Sequence, residues 1–451
     1  MGDLLNKPKV VIIGGGFGGL WAAKALANKP VEVTLIDRKN HHVFQPLLYQ
    51  VATAVLSPGE IAQPIRRILH KYKNIEVILG EAVAFDKENN KVRLADGSEI
   101  AYDYLIVAAG ARHAYFGHDD WEREAPGLKT LEDAVEIRRR VLLAFEYAEK
   151  DAYLTGKQRE MNFVVVGGGP TGVELAGAIA DIARKALAKD FMAIDTRKAR
   201  VVLFEGSDQV LGTFANDLSE SAKKQLESLG VEVRLNSFVT DIEAGRVKVG
   251  QRWIDCDVVL WATGVAASPL GKALGVSVDK AGRVLVERDL SVPGSKNIFV
   301  IGDMVWLLQE SGEPVPGVSP AAMQMGGATA ANILRDLKGQ PRENFRYVNK
   351  GTMATIGRSK AIAELAGLKF KGFIAWLMWL FLHVFFLIGF RNRFAVLFEW
   401  FWAYLTRERS ARLITGDANE MQNAKRFLDA RPADTRANIK PKAKAHKQTT
   451  D

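Results

Sequence analysis

Two glycine-rich segments of this chain have the residue types and the spacing that bind the phosphates of a dinucleotide. The first, at 14–19, reads Gly-Gly-Gly-Phe-Gly-Gly; it follows the apolar run Lys9–Ile13 and precedes a helical pattern that starts at Leu20. In a Gly-x-Gly-x-x-Gly turn the first glycine permits the tight turn, the second lets backbone approach a pyrophosphate, and the third lets helix and strand pack closely. We therefore expect a phosphate-binding turn here, in preference to a tight turn that binds nothing.

An acidic residue completes this first unit. The next predicted strand, Val31–Ile36, ends at Asp37, whose carboxylate can accept hydrogen bonds from ribose hydroxyls. A glycine pattern alone is a weak signal, but a strand, the turn, a helix and a second strand that ends in an acid form a strong one.

The same arrangement recurs later in the chain. The predicted strand Asn162–Val166 leads into Gly167, Gly169 and Gly172, and a later strand ends at Glu205. An acid at this place repels a 2′-phosphate, and the residues at 206–208, Gly-Ser-Asp, supply no arginine, so the sequence predicts NADH here and not NADPH. Two such sites in one chain imply one bound cofactor and one exchanging substrate.

Other segments of the chain continue this pattern. The interval between Gly172 and Glu205 is long, which predicts an insertion around Lys185–Lys198. Two further strands end in glycine, at 104–110 and 258–264, and another strand, at 297–303, ends in Gly302 and the acid Asp303. A Gly-, Pro- and Ser-rich loop is expected at Gln309–Pro320, and a helix at Ala321–Leu337.

The single cysteine, Cys256, limits the chemistry. A structural disulfide within the chain and any redox chemistry that needs a pair of thiols are both excluded. Cys256 lies in Ile254-Asp255-Cys256-Asp257, before a predicted strand, and we expect it to be a small packed residue and not a nucleophile.

The formal net charge of +9 is concentrated around and after an apolar stretch near the C-terminus. This distribution favours a membrane surface over nucleic acid as the partner. Residues 1–8 are short and polar and are followed directly by a strand, so we expect no signal peptide and a catalytic body in the cytoplasm.

The apolar stretch is Gly372–Phe390, in which His383 is the one polar residue. Its 19 residues would extend about 28 Å as a helix, close to the thickness of a bilayer core. Basic residues flank both ends and more follow, which disfavours spanning. We therefore prefer helices lying in the membrane interface with Trp376, Trp379, Trp400 and Trp402 near the headgroups, while a spanning helix and a buried dimer contact remain open.

Three motifs together resemble the type II NADH:quinone oxidoreductases. They are Asn-His-His-Val-Phe-Gln-Pro-Leu-Leu-Tyr-Gln-Val-Ala at 40–52, Gly-Pro-Thr-Gly-Val-Glu-Leu-Ala-Gly at 169–177 and Ala-Met-Gln-Met-Gly at 322–326, within a resemblance that runs from about residue 9 to residue 410. The resemblance implies an α/β flavoprotein with two Rossmann-like dinucleotide-binding domains, the NAD domain inserted in the FAD domain. It further implies tightly bound, non-covalent FAD, hydride transfer from NADH, a membrane quinone as acceptor and no proton pumping.

The same resemblance implies roles for particular residues. Glu174 matches a glutamate placed beside flavin and nicotinamide, and burial would raise its pKa toward that of a useful proton donor; the alternative is that it complements the positive end of its helix. Gln324 matches a glutamine near the flavin ring and the quinone head. The chain departs from the family pattern at Ser319-Pro320, where many members have Ala-Gln, and this departure concerns the quinone contacts.

The two histidines of the motif at 40–52 allow two interpretations. His41 and His42 could be metal ligands or proton carriers, but no third ligand stands at metal spacing, so we predict no metal and expect packing and hydrogen bonding around FAD. Asp303, at the end of the late strand, takes by resemblance the place of the acid that binds the FAD ribityl or pyrophosphate region; it could also cap a helix.

The predicted catalytic residues are Glu174 and Gln324. The predicted cofactor-binding residues, which surround FAD or NADH, are Gly14, Gly15, Gly16, Phe17, Gly18, Gly19, Asp37, Arg38, His42, Val83, Ala109, Gly110, Gly302, Asp303, Ala321, Ala322, Met323, Gln324, Gly167, Gly169, Pro170, Thr171, Gly172, Glu205 and Gly264.

The predicted domain order follows from these sites. We expect the first part of the FAD domain at 8–125, the NADH domain at 126–290 and the second part of the FAD domain at 291–345. A C-terminal membrane-anchoring region is expected at 346–414 and a basic tail at 415–451.

The protein is expected to be a homodimer on the cytoplasmic side of a bacterial inner membrane, peripheral or monotopic. The alternative function is an NADH-linked flavoprotein that reduces a soluble electron-carrier protein, which would not require an apolar C-terminal anchor.

Overall fold

The computed structural model describes residues 7–406, 409 and 411–416. The chain divides into two units: unit 1 consists of Met1–Phe44, Gly59–Ala114 and Gly264–Lys350, and unit 2 of Gln45–Pro58, Tyr115–Thr263 and Gly351–Asp451. Most of the basic tail expected at 415–451 lies outside the described residues.

The strands are numbered in chain order. They are β1 (Lys9–Ile13), β2 (Glu32–Asp37), β3 (His41–Val43), β4 (Ala62–Pro64), β5 (Ile75–Leu79), β6 (Ala82–Asp86), β7 (Lys91–Leu94), β8 (Glu99–Ala101), β9 (Tyr104–Val107), β10 (Ala111–His113), β11 (Asn162–Val166), β12 (Arg200–Phe204), β13 (Val231–Arg234), β14 (Val239–Glu243), β15 (Arg246–Val249), β16 (Arg252–Asp255), β17 (Val258–Trp261), β18 (Val265–Ala267), β19 (Val284–Leu285), β20 (Ile298–Val300), β21 (Val305–Trp306), β22 (Thr352–Gly357), β23 (Lys360–Leu365) and β24 (Leu368–Lys371).

The α-helices are numbered in the same way. They are α1 (Phe17–Ala25), α2 (Leu48–Ala52), α3 (Pro58–Ile61), α4 (Ile65–Leu69), α5 (Leu131–Thr155), α6 (Pro170–Asp181), α7 (Asn216–Ser228), α8 (Leu270–Ala273), α9 (Ser319–Asp336), α10 (Phe373–Phe386) and α11 (Phe390–Thr406). A π-helical turn, Ile182–Ala186, follows α6.

Unit 1 is built on a five-stranded sheet in the order β20-β9-β1-β2-β5, in which all neighbouring strands are parallel. Its central strand, β1, has the sequence Lys-Val-Val-Ile-Ile and is buried from Val10 onward. A continuous run of β-branched residues suits a parallel strand because helices cover both faces of such a sheet. The carboxyl ends of β1, β2, β9 and β20 therefore lie along one edge, where the first glycine turn begins.

Helix α9 of unit 1 begins two residues earlier than the sequence predicted. Ser319 and Pro320, expected in the preceding loop, form its first turn. Proline is tolerated there because the first N–H groups of a helix have no partner within the helix. Close packing of α9 on α1 follows from Gly18 and Gly326, since a Cβ on Gly326 would overlap the carbonyl oxygen of Gly18.

Unit 2 contains a second parallel sheet, in the order β13-β12-β11-β17. The 25-residue helix α5 packs in this unit; the side chain of Thr130 caps its start and Gly156, in the left-handed region, ends it. Cys256 is fully buried in an apolar cluster with Trp121 and Trp261, so the expectation of a packed cysteine is confirmed.

The predicted insertion after α6 is an irregular segment held by one carboxylate. Glu149 of α5 accepts hydrogen bonds from the backbone N–H groups of Met192, Ala193 and Ile194, at 2.9–3.1 Å. These bonds satisfy backbone donors that have no strand or helix partner, which explains how the segment keeps a defined path.

The region after residue 350 contains a sheet that the sequence analysis did not predict. Strands β22, β23 and β24 are antiparallel neighbours, and Ala361 and Ala363 of β23 pack against Ala375 of α10. Lys369 and Lys371 of β24 both pair with Asp217 of α7, at 2.7 and 2.9 Å.

The apolar stretch Gly372–Phe390 does not form a single helix. Helix α10 ends at Phe386 after 14 residues, and α11 begins at Phe390. The guanidinium of Arg393 donates to the carbonyl oxygens of Leu387 and Phe385, at 2.7 and 2.8 Å, and so completes the end of α10. In the described part of the chain, none of the helices combines the length and the apolar character needed to cross a membrane.

Candidate functional site

In the first glycine turn, in unit 1, each of the three glycines of the motif has a different structural role. Gly14 has a φ of +100°, which an L side chain rarely adopts. A Cβ on Gly19 would overlap the carbonyl oxygen of Gly14, whereas a Cβ on Gly16 would meet nothing within 4 Å. The space above Gly16 is therefore open for a phosphate group, and the turn fits a dinucleotide.

Asp37 closes this turn from the end of β2. One carboxylate oxygen accepts the N–H of Gly15 at 2.6 Å, and the other accepts the N–H of Lys39 at 2.7 Å. The carboxylate is thereby fixed beside the turn, with lone pairs left for ribose hydroxyls. Arg38 points elsewhere: its side chain is 66% exposed and lies 3.8 Å from Glu81.

His42 adds a buried acceptor to the same place. Its Nδ1 lies 3.0 Å from the carbonyl oxygen of Gly15, so Nδ1 carries the hydrogen, and the ring packs edge-on against Phe17. Burial lowers the pKa of His42 to about 4, which makes the ring neutral at pH 7. Among the residues that the structure describes, nothing bonds the buried Nε2, and a ligand hydroxyl would satisfy this acceptor.

Most of the other residues predicted around the first turn lie along the same sheet edge. Ala109 and Gly110 follow β9, and Gly302 and Asp303 follow β20. The N–H of Gly302 contacts Sδ of Met325 at 3.2 Å, which ties this edge to α9, the helix that carries Ala321, Ala322, Met323 and Gln324.

Two predicted residues of unit 1 lie apart from this edge. Val83 is 44% exposed on β6, in a separate sheet formed by β6, β7 and β8. Gly264 precedes β18, where its carbonyl oxygen accepts the N–H of Ala114 at 3.3 Å.

The second glycine turn, in unit 2, repeats the first. Gly167 has a φ of +107°, a Cβ on Gly172 would overlap the carbonyl oxygen of Gly167, and the space around Gly169 is open. Pro170 and Thr171 begin α6, where proline costs no hydrogen bond. The two turns, which differ at two of their six positions, thus have the same backbone geometry.

Glu205 occupies in the second turn the place that Asp37 has in the first. Its Oε2 accepts the N–H of Gly168 at 2.5 Å, while Oε1 accepts the N–H and the hydroxyl of Ser207 at 2.7 and 2.8 Å. A carboxylate fixed here can accept hydrogen bonds from ribose hydroxyls and would repel an added phosphate.

Glu174 lies on α6, two residues after the last glycine of this turn. Its side chain is partly buried, and burial raises its pKa to about 8, opposed by a hydrogen bond from the backbone N–H of Thr355. The shift has the direction expected from the sequence. A carboxyl group with this pKa holds a proton at neutral pH and can donate it.

Gln324, predicted to contact flavin and quinone, has its side-chain amide engaged within unit 1. Its Nε2 donates to the carbonyl oxygen of Val348 at 3.0 Å, and its Oε1 accepts the N–H of Val348 at 2.9 Å. These two hydrogen bonds are arranged as in a short β-bridge, and they fix the position of Val348.

Unit 2 also contains a cavity of about 130 Å³ that the sequence analysis did not find. Its aromatic lining comes from the C-terminal helices, and polar side chains come from α2, the end of α6 and the segment after α11; the lining includes Tyr49, Gln50, Asp181, Lys185, Thr355, Trp376, Trp379, Trp400 and Arg409. The 40–52 motif could have pointed to Tyr49 and Gln50, but the other residues come together only in the folded chain.

Comparisons with known proteins agree with this geometry. The family model described as pyridine nucleotide-disulphide oxidoreductase matches residues 8–326, and that described as NDH2 C-terminal domain matches residues 349–408. Two proteins of Mycobacterium tuberculosis, named type II NADH:quinone oxidoreductase NdhA and Ndh, are 45% and 44% identical to this chain. Each alignment covers 91% of this chain, and 90% and 91% of the respective relatives.

A solved structure of NDH2 from Plasmodium falciparum in complex with NADH shares the fold. It matches with a TM-score of 0.80 at 20% identity, covering 91% of this chain and 100% of its own. The α/β architecture with Rossmann-like sheets, predicted from the sequence, is confirmed.

Proposed function

Because the chain belongs to the type II NADH:quinone oxidoreductases, we propose that it oxidises NADH and reduces a quinone at a membrane surface. FAD, when bound, supplies the chemistry that accepts hydride from NADH and passes two electrons to the quinone. The overall reaction takes NADH, one proton from water and quinone to NAD⁺ and quinol. No proton is pumped in this reaction.

The presence of two equivalent dinucleotide turns carries this proposal. The turn at 14–19, closed by Asp37, fits the FAD that stays bound, and His42 offers a buried acceptor to the same group. The turn at 167–172, closed by Glu205, fits the NADH that exchanges. A protein with a single redox nucleotide would need only one of them.

Glu174 is the proposed proton donor. Its raised pKa keeps it protonated at neutral pH, and its place near the start of α6 puts it close to the second turn in the sequence. A donor with a pKa near the working pH gives up a proton readily and is readily reprotonated.

Helices α10 and α11 provide the proposed membrane contact. Large apolar side chains at helical spacing remain exposed on both: Ile374, Leu377, Phe381 and Phe385 on α10, and Phe394, Leu397, Phe398, Phe401 and Leu405 on α11. Phe381 is 74% exposed and Phe394 67%. Apolar patches of this kind mark interaction surfaces, and aromatic residues suit a lipid interface.

Basic residues contribute less to this contact than their number suggests. Lys369 and Lys371 pair with Asp217, and Arg393 caps α10, so these cations are already engaged within unit 2. Membrane binding through these helices should therefore be driven mainly by apolar burial and should depend weakly on salt.

The reaction is tested with the full chain extracted in detergent. The purified protein should be yellow and contain FAD, NADH should bleach the flavin without oxygen, and a short-chain quinone should restore the colour. A colourless preparation, or a flavin that NADH reduces but quinone does not reoxidise, would contradict the proposal. In the second case the soluble-carrier alternative would gain support.

The membrane contact is tested by flotation with vesicles of phosphatidylethanolamine and phosphatidylglycerol. The double variant Phe381→Glu/Phe394→Glu should lose most vesicle binding, by about tenfold or more, since each phenylalanine contributes about 2 kcal/mol when buried. Met192→Glu is the matched control, because Met192 is 98% exposed and lies outside both helices. Equal flotation of the two variants would exclude α10 and α11 as the contact.

Homodimer formation and the location on the cytoplasmic side of a bacterial inner membrane belong to this proposal as well. The mass of the detergent-free particle, measured by light scattering, tests the first. Protease accessibility in sealed inverted vesicles tests the second.

A further inference from the structure

Phe238 is an exposed aromatic residue near the second glycine turn of unit 2. It lies between β13 and β14, and the residue is 69% exposed. A single exposed phenylalanine is common on protein surfaces and by itself indicates no ligand. The position of Phe238 relative to Glu205 and to the glycine turn gives it a specific meaning.

The segment that carries Phe238 is hydrogen-bonded to the segment that begins with Glu205. The N–H of Ser237 donates to the carbonyl oxygen of Glu205, and the N–H of Asn236 donates to that of Ser207, both at 2.9 Å. These bonds extend the contact between the two segments past the ends of β12 and β13. The backbone around Phe238 is therefore fixed against the residues that follow β12.

One face of the Phe238 ring packs on Gly206. A Cβ built on Gly206 would lie 2.5 Å from Cε1 of the ring, and 2.8 and 2.9 Å from the neighbouring atoms Cζ and Cδ1. These nearly equal distances place that Cβ above the plane of the ring, because an approach within the plane would leave both neighbours much farther away. The ring can lie there only because residue 206 has no side chain. Since the residue is 69% exposed, the opposite face of the ring is open to solvent.

The sheet of unit 2 arranges these features in the order of the parts of a nucleotide. Its strand order is β13-β12-β11-β17. The carboxyl end of β11 leads into the glycine turn, that of β12 into Glu205, and that of β13 into the segment of Phe238. Ligands of such sheets bind at the carboxyl ends of the strands. A phosphate site, a ribose site and an aromatic ring therefore follow one another along this edge.

The connectivity of the ribose determines which group would lie next to Phe238. A ribose held by Glu205 presents its C2′ and C3′ hydroxyls to the carboxylate, and its C5′ leads back to the phosphates at the glycine turn. The base is attached to C1′, so it extends away from the turn, towards β13. Flat aromatic side chains stack on nucleobases without reading their hydrogen-bonding edges.

We propose that the open face of Phe238 stacks on the adenine of NADH and positions the dinucleotide. The inference rests on the proposed function, which puts NADH at the second turn. Adenine is remote from the reacting nicotinamide, so the contact is equally strong in the ground state and in the transition state; it lowers KM and leaves kcat unchanged. Stacking involves no group near the 2′ position, so Phe238 contributes nothing to the choice between NADH and NADPH.

The test is Phe238→Ala in the full-length, FAD-containing enzyme. ADP-ribose has the adenosine half of NADH but no nicotinamide, and its Kd, measured by calorimetry, should rise on the order of tenfold. In turnover with a short-chain quinone, KM for NADH should rise by a similar factor, with kcat within about twofold of the wild type. With reduced nicotinamide mononucleotide, which has no adenosine, kcat/KM should equal that of the wild type.

Tyr153→Ala is the matched control, because Tyr153 is a 78%-exposed aromatic residue on α5 of the same unit. It should keep wild-type values with all three ligands. Phe238→Tyr retains the ring face and should keep the wild-type Kd for ADP-ribose. Gly206→Ala should weaken ADP-ribose binding, because its methyl group displaces the ring, and it should cause no further loss when combined with Phe238→Ala.

Two results would overturn the stacking role. If Phe238→Ala and Tyr153→Ala bind ADP-ribose equally well, the ring does not contact adenine. If Phe238→Ala loses the same factor of kcat/KM with reduced nicotinamide mononucleotide as with NADH, the residue only supports the fold of the site. Failure of the proposed function is a separate outcome: the wild type would then bind ADP-ribose more tightly than Phe238→Ala but pass no electrons from NADH to quinone.

Discussion

The side-chain amide of Gln50 has one orientation because Trp400 allows no other. An indole N–H can only donate, so the oxygen of Gln50 must face Trp400, 2.7 Å away, and the NH₂ group must face Tyr49. A residue on the C-terminal helix α11 thus fixes the hydrogen-bonding role of a tyrosine on α2. A directed hydrogen bond therefore couples α11 to the interior of unit 2.

Replacing Trp400 by phenylalanine should destabilise the protein by about 1–3 kcal/mol, because the Gln50 oxygen is left without its donor in a buried place. Urea unfolding followed by circular dichroism measures the loss. Trp402→Phe, at a 46%-exposed position of the same helix, should change stability by less than about 0.5 kcal/mol. If both variants unfold at the same urea concentration, the bond to Gln50 contributes nothing.

The ion pair between Arg409 and Asp181 should also contribute to stability. The Arg409 side chain is 6% exposed, and Arg409→Met leaves the carboxylate with Lys185 alone, so we expect a loss of about 2 kcal/mol. The double variant Arg409→Met/Asp181→Leu should recover much of this loss, since no uncompensated charge remains. Additive losses in the double variant, measured by urea unfolding, would contradict this account.

Glu205 should determine the choice of nicotinamide nucleotide. In Glu205→Gln the repulsion of a 2′-phosphate is removed and a charged acceptor for the ribose is lost, so the preference of kcat/KM for NADH over NADPH should fall about tenfold or more. Asp208→Asn, which changes an exposed acid three residues later, should keep the wild-type preference. Wild-type enzyme that used both nucleotides equally would refute the assignment.

Glu174 should make stability depend on pH. Its folded-state pKa of about 8 lies above its usual value of 4.5, so between these values the folded state binds more protons than the unfolded state. Stability therefore falls as pH rises through this window, and Glu174→Gln, which cannot ionise, should escape that fall.

The measurement is urea unfolding of the wild type and Glu174→Gln at pH 5 and pH 8. The variant should gain stability relative to the wild type as pH rises, and Glu313→Gln, which changes an exposed acid, should not. A constant difference between wild type and Glu174→Gln across this range would show that the glutamate titrates normally.

Sequence patterns predicted the two dinucleotide turns well because those turns depend on local geometry. Strand β11 has the predicted bounds, and the glycines at 14 and 167 have the positive φ that the motif requires. Boundaries that depend on tertiary packing were less accurate. Helix α1 begins at Phe17 and not Leu20, and α9 begins at Ser319 and not Ala321.

The apolar stretch near the C-terminus shows a limit of prediction from sequence patterns. A stretch of 19 residues with one polar side chain is compatible with one long helix, but the guanidinium of Arg393 binds the carbonyl groups at the end of α10, and the stretch is divided into two helices. The sheet formed by β22, β23 and β24 was not predicted, because the pairing of its strands is visible only once α10 packs on β23.

By itself the sequence determined the fold class, the two glycine turns, the acids that close them and the absence of thiol-pair chemistry, since each depends on residue type and short-range spacing. Tertiary structure alone decided what surrounds Glu174, Tyr49 and Gln50. A raised pKa, a fixed amide orientation and a polar cavity arise from desolvation and from partners such as Thr355 and Trp400. Those residues are far away in the chain, and no local pattern shows which distant segments will exclude water from a given side chain.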